Sequence, residues 1–168
     1  IGATNLGRAL GRTWGYTALV LDIAKGLVPV LMLAPIVSIA VGSDNYHMSH
    51  AAMGFGAILG HIFTPYLFFR GGKGVATTIG VFAALVHYWI ALPLVGYAVV
   101  RKKSGYVSAG SITLAVLLPV SAALCYRSEL ASAWPIVVAA GATGVLVVVR
   151  HQSNIKRLVH GEENSAPG

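Results

Sequence analysis

The chain has 168 residues, of which 56% are hydrophobic and only 10% charged, and its 12 Lys and Arg outweigh five Asp and Glu for a formal net charge of +7. A soluble domain typically carries about 25% charged residues, so this composition excludes an ordinary soluble enzyme and points to an all-α integral membrane protein. The mean hydropathy of +0.74 agrees, and the basic excess reads as membrane topology and anion binding, not as a nucleic-acid surface.

In chain order, the first polar stretch is Ile1-Gly2-Ala3-Thr4-Asn5-Leu6-Gly7-Arg8. Small residues ahead of Asn5 and Arg8 suit a loop feeding a helix start, where N–H groups and an arginine hold anions. Residues 16–41 then form an apolar run that carries only Asp22 and Lys25. Spaced i, i+3 where the chain enters the membrane, these two read as an ion pair with a supporting role. Residues 48–69, 75–100, 106–126 and 131–149 contain no Asp, Glu, Lys or Arg at all. About 20 apolar residues cross the roughly 30 Å of hydrocarbon.

Charge fixes the direction of these runs. If the chain leaves one face after Lys25, it returns at Arg70, and the intervening stretch 42–50 holds Asp44 but no Lys or Arg. Residues 75–100 would make one helix of about 39 Å, and a single crossing would put Arg101, Lys102 and Lys103 on the opposite face. Two short helices turning near His87 and Tyr88 keep them with Arg70, as broken helices can where they line an enclosed cavity. A last out-and-back pair, turning within 127–132, returns Arg150 to the same face. Every basic residue except Arg127 then lies on one side, which the positive-inside rule makes cytoplasmic. The sequence therefore predicts a polytopic bundle of six helical segments, two of them short, with a cavity opening on the cytoplasmic face.

The polar motifs collect on that face. The strongest is Gly60-His61-Ile62-Phe63-Thr64-Pro65 followed by Phe69-Arg70-Gly71-Gly72-Lys73-Gly74-Val75-Ala76-Thr77. Glycines around Lys73 allow close backbone approach, and successive N–H groups at a helix start form an anion nest. It is not a Walker A loop, because Gly74 follows the lysine and Leu67 stands where the first glycine is required. Next comes Ser104-Gly105-Tyr106-Val107-Ser108-Ala109-Gly110-Ser111, whose hydroxyls suit either a substrate or ordinary helix packing. The fourth motif runs from Arg150 and His151 through Asn154, Ile155 and Arg157 to Gly161 and Glu162. His151 and Asn154 share one helical face, in what otherwise reads as an amphipathic interfacial tail. His47, His50 and His87 fall on the outer side without carboxylate or cysteine neighbours, and the lone Cys125 reads as packing. No carboxylate pair, metal-ligand cluster, cysteine nucleophile or His-x-x-x-x-Asp dyad appears. What remains is an anion site of Arg, Lys, Asn, Ser and backbone N–H groups, with histidine as the acid or base.

The motifs GATNxxR, GHxxxPxxxxRGGKGVAT, YVSxxS and RHxxNIxRLxxGxE, in this order, resemble those of the bacterial acylphosphate-dependent glycerol-3-phosphate acyltransferases. The resemblance covers nearly the whole chain, as a single transmembrane acyltransferase domain over 1–168. It implies transfer of a fatty acyl group from acyl phosphate to the 1-hydroxyl of glycerol 3-phosphate, giving lysophosphatidic acid and phosphate. The membrane would be the bacterial inner membrane, with the site facing the cytoplasm, and membrane lipids as the remaining partners. By position, the resemblance makes Gly2 and Asn5 part of the loop holding acyl phosphate. Arg8 and Lys73 would bind phosphate, with Gly71, Gly72 and Gly74 shaping the loop. Ser108 or Ser111, His151 and Asn154 would contact glycerol 3-phosphate. It implies catalytic parts for His151, Lys73 and Asn5, and neither metal nor cofactor.

Three departures stand out. The family's first motif usually starts with Gly-Ser-Gly-Asn after a first spanning helix, so the chain is expected to be truncated at its N-terminus, to hold six of seven helices and to be nearly inactive as written. Thr64, followed by Pro65, stands where the family has Pro. Arg70 replaces the usual Lys, and Ala109-Gly110 the usual Leu-Ala. The rival reading from residues alone is a transporter or channel binding an anion at broken-helix ends.

Overall fold

The computed structural model describes residues 2–40, 42 and 46–165, and their regular structure is entirely helical. Asp44 of the expected outer turn lies outside the described residues, as do Ile1 of the first motif and residues 166–168. The helices are α1 (Ala3–Leu10), α2 (Arg12–Val28), α3 (Ala34–Ala40), α4 (Tyr46–Ile62), α5 (Val75–Val86), α6 (Ala91–Ser104), α7 (Val107–Cys125), α8 (Leu130–Arg150) and α9 (Gln152–His160). A π-helical turn over Pro29–Leu33 joins α2 to α3. Pro29 has no N–H to give, and the Ala34 N–H reaches back to the Pro29 carbonyl, so the ladder slips by one residue and continues. The result is one stretch, Arg12–Ala40, of 29 residues.

Arg12–Ala40, Val75–Ser104, Val107–Cys125 and Leu130–Arg150 are each long and apolar enough to cross a membrane. Val75–Ser104 nevertheless does not run straight. His87 sits at φ 50, a left-handed conformation costly for a residue with a side chain, and a short 3₁₀ turn over His87–Ile90 follows. Neighbouring contacts show that the chain reverses there. The Tyr126 hydroxyl donates to the Leu85 carbonyl at 2.6 Å and the Ser121 hydroxyl to the Trp89 carbonyl at 2.6 Å, both at the far end of α7. Gly96 then packs on Thr113 and Leu117, and Gly110 on Tyr97, as α6 returns along α7. The 12 residues of α5 and 14 of α6 span about 18 and 21 Å, so neither crosses alone. The six expected bundle segments are therefore present, two of them short, and Arg101, Lys102 and Lys103 end beside the 70–74 loop's end of the bundle.

Of the two outer pieces, the first differs from the sequence expectation and the second follows it. The first motif is helical from Ala3 onward, where a loop was expected, and α1 lies on α2 because Gly7 and Gly15 let the two backbones meet. At the other end, α9 is the amphipathic tail helix.

The core joins the middle of α4, α5, α7 and α8 through Ile58, Val81, Phe82, Leu118 and Ile136, all at most 1% exposed. The outward faces are apolar too: Val116, Val120, Val138 and Val145 stand exposed on α7 and α8. A shell of this kind is stable against lipid chains but not against water. Inside it, small residues set the helix spacing, as is common between membrane helices. Gly26 fits between Thr77 and Val81, and Gly80 between Ile23 and Leu27, so α2 and α5 cross backbone to backbone.

Candidate active site

One end of the bundle gathers the loop between α4 and α5, the start of α7, the end of α8, α9 and the segment after it. The loop is shaped first by its attachment. Its Gly71 N–H donates to the Ile62 carbonyl at 3.0 Å, satisfying a terminal carbonyl of α4. Arg150 donates to the Gly71 carbonyl at 3.2 Å from the end of α8. Gly74 then takes φ 83 as the residue before α5, a left-handed conformation that favours glycine. Lys73 is thereby held between two buried glycines, with its ammonium against α9.

There the ammonium donates to Asn154 Oδ1, and the other end of the same amide donates through Nδ2 to Glu163 Oε1 at 2.7 Å. The amide is oriented by charge: oxygen toward the cation, NH₂ toward the carboxylate. Ser108 Oγ also donates to Glu163 Oε1, at 2.9 Å, and Arg157 Nε to Oε2 at 2.8 Å. Arg8, on α1, donates to the Ser165 carbonyl at 3.0 Å and more loosely to that of Asn164 at 3.5 Å. Ser165 is thus tied to α1. Burial pushes the Lys73 ammonium below its ordinary 10.5, with Arg157, Arg8 and Arg150 adding to the fall and Glu163 opposing it. Three arginines therefore act on Lys73 against the one carboxylate of Glu163, which leaves a surplus of positive charge at a half-buried position.

His151 is 2% exposed and caps the start of α9. Its Nδ1 lies 2.7 Å from the Val147 carbonyl, and a carbonyl only accepts, so Nδ1 carries the hydrogen and Nε2 is the acceptor nitrogen. Burial lowers its pKa below 6.5, and the Lys73 charge adds to this against the Val147 bond and Glu163. At neutral pH the ring is uncharged.

The expected site residues divide. Lys73, Gly71, Gly72, Gly74, Arg8, Ser108, His151 and Asn154 come together at this end. Of the two candidate serines, Ser108 turns to Glu163, while the Ser111 hydroxyl donates to the Val107 carbonyl of its own helix at 2.9 Å. Asn5 is exposed on α1, while its neighbours Gly2 and Leu6 line a cavity of about 620 Å³ that also borders Gly71 and Gly72. The cavity's remaining wall is apolar toward Leu21, Pro29, Ala57 and Leu67, and polar at Asp22, Lys25 and His61. Asp22 and Lys25 form the expected ion pair at 2.9 Å.

Three participants escaped the sequence reading as site residues: Glu163, Arg150 and Arg157. The signal for Glu163 was the closing E of the RHxxNIxRLxxGxE pattern, which falls one residue beyond Glu162. Burial works to raise its carboxyl, but hydrogen bonds from Asn154, Ser108 and Arg157, with the Arg157 charge, outweigh it and hold the group below its ordinary 4.5. A depressed carboxylate stabilises the fold above the unfolded value, and that stability disappears as pH falls through the depressed one. The melting temperature of the parent in detergent should therefore fall on acidification below pH 4.5. Glu163→Gln should start lower and lose that part of the slope; parallel curves for the two would refute the linkage.

Comparison with known proteins identifies the family. A family model described as Glycerol-3-phosphate acyltransferase matches residues 1–161. A protein of that name from Solidesulfovibrio magneticus is 44% identical over 168 residues, covering 98% of this chain and 76% of the relative. Another, from Desulfotalea psychrophila, is 38% identical over 165 residues, covering 98% and 80%. Among solved structures, PlsY, an integral membrane glycerol 3-phosphate acyltransferase, superposes in its glycerol 3-phosphate form with a TM-score of 0.81 at 31% identity, over 98% of this chain and 76% of that one. Its lysophosphatidic acid form gives 0.80 at 31% identity, over 98% and 78%. The chain belongs to the glycerol-3-phosphate acyltransferase family and is an integral membrane acyltransferase.

Proposed function

We propose that this protein transfers a fatty acyl group from acyl phosphate to the 1-hydroxyl of glycerol 3-phosphate, releasing lysophosphatidic acid and inorganic phosphate for phospholipid synthesis. The single observation that carries the reading is the gathering of Arg8, Arg150 and Arg157 near Lys73, whose ammonium is bonded to Asn154. Two phosphorylated substrates need such a surplus of positive charge, and a donor that is already an activated anhydride needs little else from the protein. The names of the relatives, and PlsY in forms with glycerol 3-phosphate and lysophosphatidic acid, support the acceptor and the product.

In this mechanism Lys73 and Arg8 hold phosphate groups, with Gly72 and Gly74 presenting backbone N–H donors, Gly71 shaping the loop, and Gly2 and Asn5 completing the donor's side. Ser108 and Asn154 contact the acceptor, and the neutral His151 Nε2 accepts the hydrogen bond of its 1-hydroxyl. The hydroxyl oxygen bonds to the acyl carbon as the carbon–oxygen bond to phosphate breaks. The departing phosphate takes the hydroxyl proton. Rate comes from positioning and from stabilising the charge that develops on the leaving phosphate. The basic loops make this end the cytoplasmic face of a bacterial inner membrane.

The test supplies radiolabelled glycerol 3-phosphate with either palmitoyl phosphate or a palmitoyl thioester in detergent or lipid. Lysophosphatidate should form with the phosphate donor. Equal use of the thioester would overturn the donor assignment, and uptake into vesicles without product would favour transport.

A further inference from the structure

The proposed mechanism uses Lys73 but leaves unexplained what holds its loop at one height. His61, in the last turn of α4, lies directly beneath that loop. A Cβ added at Gly71 would collide with the His61 carbonyl oxygen, and one added at Gly72 would collide with His61 Nε2. The backbone and the ring of one residue thus form the floor on which both glycines rest. Behind the ring stands Asp22 of α2, 8% exposed, whose Oδ1 lies 3.5 Å from His61 Nδ1. The second partner of that carboxylate is Lys25, whose side chain is 61% exposed and able to satisfy its charge in water. A carboxylate kept in a low-dielectric site is costly unless its partners use it. Here it faces the one ring nitrogen turned away from the loop, as a carboxylate does when it fixes an imidazole's orientation and tautomer.

We propose that Asp22 and His61 are a positioning pair: the carboxylate of α2 locks the imidazole of α4, and the locked ring sets the height of Gly72 and hence of the Lys73 ammonium. Neither residue touches the reacting atoms in this scheme. The pair also links α2, which forms one wall of the cavity, to the loop on its far side, so a shift of α2 is transmitted to Lys73. The kinetic part of the proposal rests on the acyl-transfer reading above; the structural part does not.

Two measurements on the full chain in detergent test it separately. In hydrogen–deuterium exchange, the Gly71 N–H is protected by its bond to Ile62. Asp22→Asn and His61→Gln should each speed exchange across 70–74 about tenfold, the size expected when a charge-assisted contact is lost, with α7 unaffected. In the transfer assay, Asp22→Asn should raise KM for glycerol 3-phosphate more than it lowers kcat, and Asp22→Glu should recover part of the loss. Gly72→Ala should give the same split, and the double variant Asp22→Asn/Gly72→Ala should lose no more than the worse single one. Unchanged exchange over 70–74 in both variants overturns the pair whatever the reaction is. Faster exchange in a parent that transfers no acyl group would keep the pair and reject the donor and acceptor instead. Additive losses in the double variant would refute the route through Gly72. Should Asp22→Asn fail to fold, His61→Gln carries both measurements alone, because it keeps the backbone part of the floor under Gly71 while removing the ring under Gly72.

Discussion

Lys73→Ala is expected to reduce lysophosphatidate formation by roughly 10²- to 10³-fold, the usual effect of deleting one preorganised donor to developing negative charge. Among the described residues the ammonium is the one cation bonded to Asn154. Arg8, Arg150 and Arg157 reach the region from other elements and are occupied with the Ser165 and Gly71 carbonyls and with Glu163. Lys73→Arg restores charge but presents a planar fork where a compact ammonium fits, so it should recover only part of the rate. The two variants also separate by pH. Burial lowers the Lys73 pKa, and a protonated Lys73 is required, so parent activity should decline on the alkaline side earlier than an ordinary lysine would allow. In Lys73→Arg that alkaline limb should move upward. A pH–rate profile identical in parent and Lys73→Arg would remove Lys73 from the titrating machinery.

The largest effect on stability is expected from Gly80→Ala. A Cβ there would run into the Ile23 carbonyl oxygen and come within 3.0 Å of the Leu27 nitrogen. Both obstacles are backbone atoms of α2, so no side-chain rotation relieves the clash and the two helices must separate. Overpacking of this kind costs about 3 kcal/mol, enough to lower the melting temperature in detergent by several degrees. Gly26→Ala attacks the same crossing from the other side, and the double variant should cost less than the two singly, because one separation serves both. Gly56→Ala and Gly141→Ala are the controls. A Cβ at either meets nothing within 4 Å, so each should be neutral or gain up to about 1 kcal/mol from the reduced freedom of the unfolded chain. A loss at Gly56 or Gly141 equal to that at Gly80 would mean that helix crossing is not what the glycines serve.

Much of the architecture was legible because a membrane simplifies the code. Runs without charge marked the spans, and the need to keep Arg101, Lys102 and Lys103 with Arg70 forced a reversal at His87 that no propensity rule would have suggested. The loop around Lys73 and the pairing of His151 with Asn154 were visible for a similar reason: polar residues are scarce here, so each one is informative. What the sequence did not disclose depends on where helices meet. Asp22 and His61 are far apart in the chain, and their proximity follows from the angle at which α2 passes α4. Glu163 gathers donors from α7 and α9 only after the segment beyond Gly161 folds back over the site. Asn5 read as loop because Ala3-Thr4-Asn5 contains small polar residues; packing of Gly7 on Gly15 overrides that preference and makes the stretch helical.

The length of Arg12–Ala40 has a physical consequence for how such a catalyst is fed. Its 29 residues reach about 43 Å, well beyond the roughly 30 Å of hydrocarbon, so a turn or more of it must stand in the headgroup region. Asp22 and Lys25 sit where that surplus begins, and the cavity beside them has an apolar wall at Leu21, Pro29 and Ala57 and a charged rim. Such a chamber straddles a phase boundary. In the proposed reaction a water-borne phosphate ester would enter through the rim and an oil-borne chain along the wall, so that neither leaves its own solvent before the two meet. A product with one ionic end and one fatty tail already has both ends in the right medium, so its release is a lateral step into the leaflet.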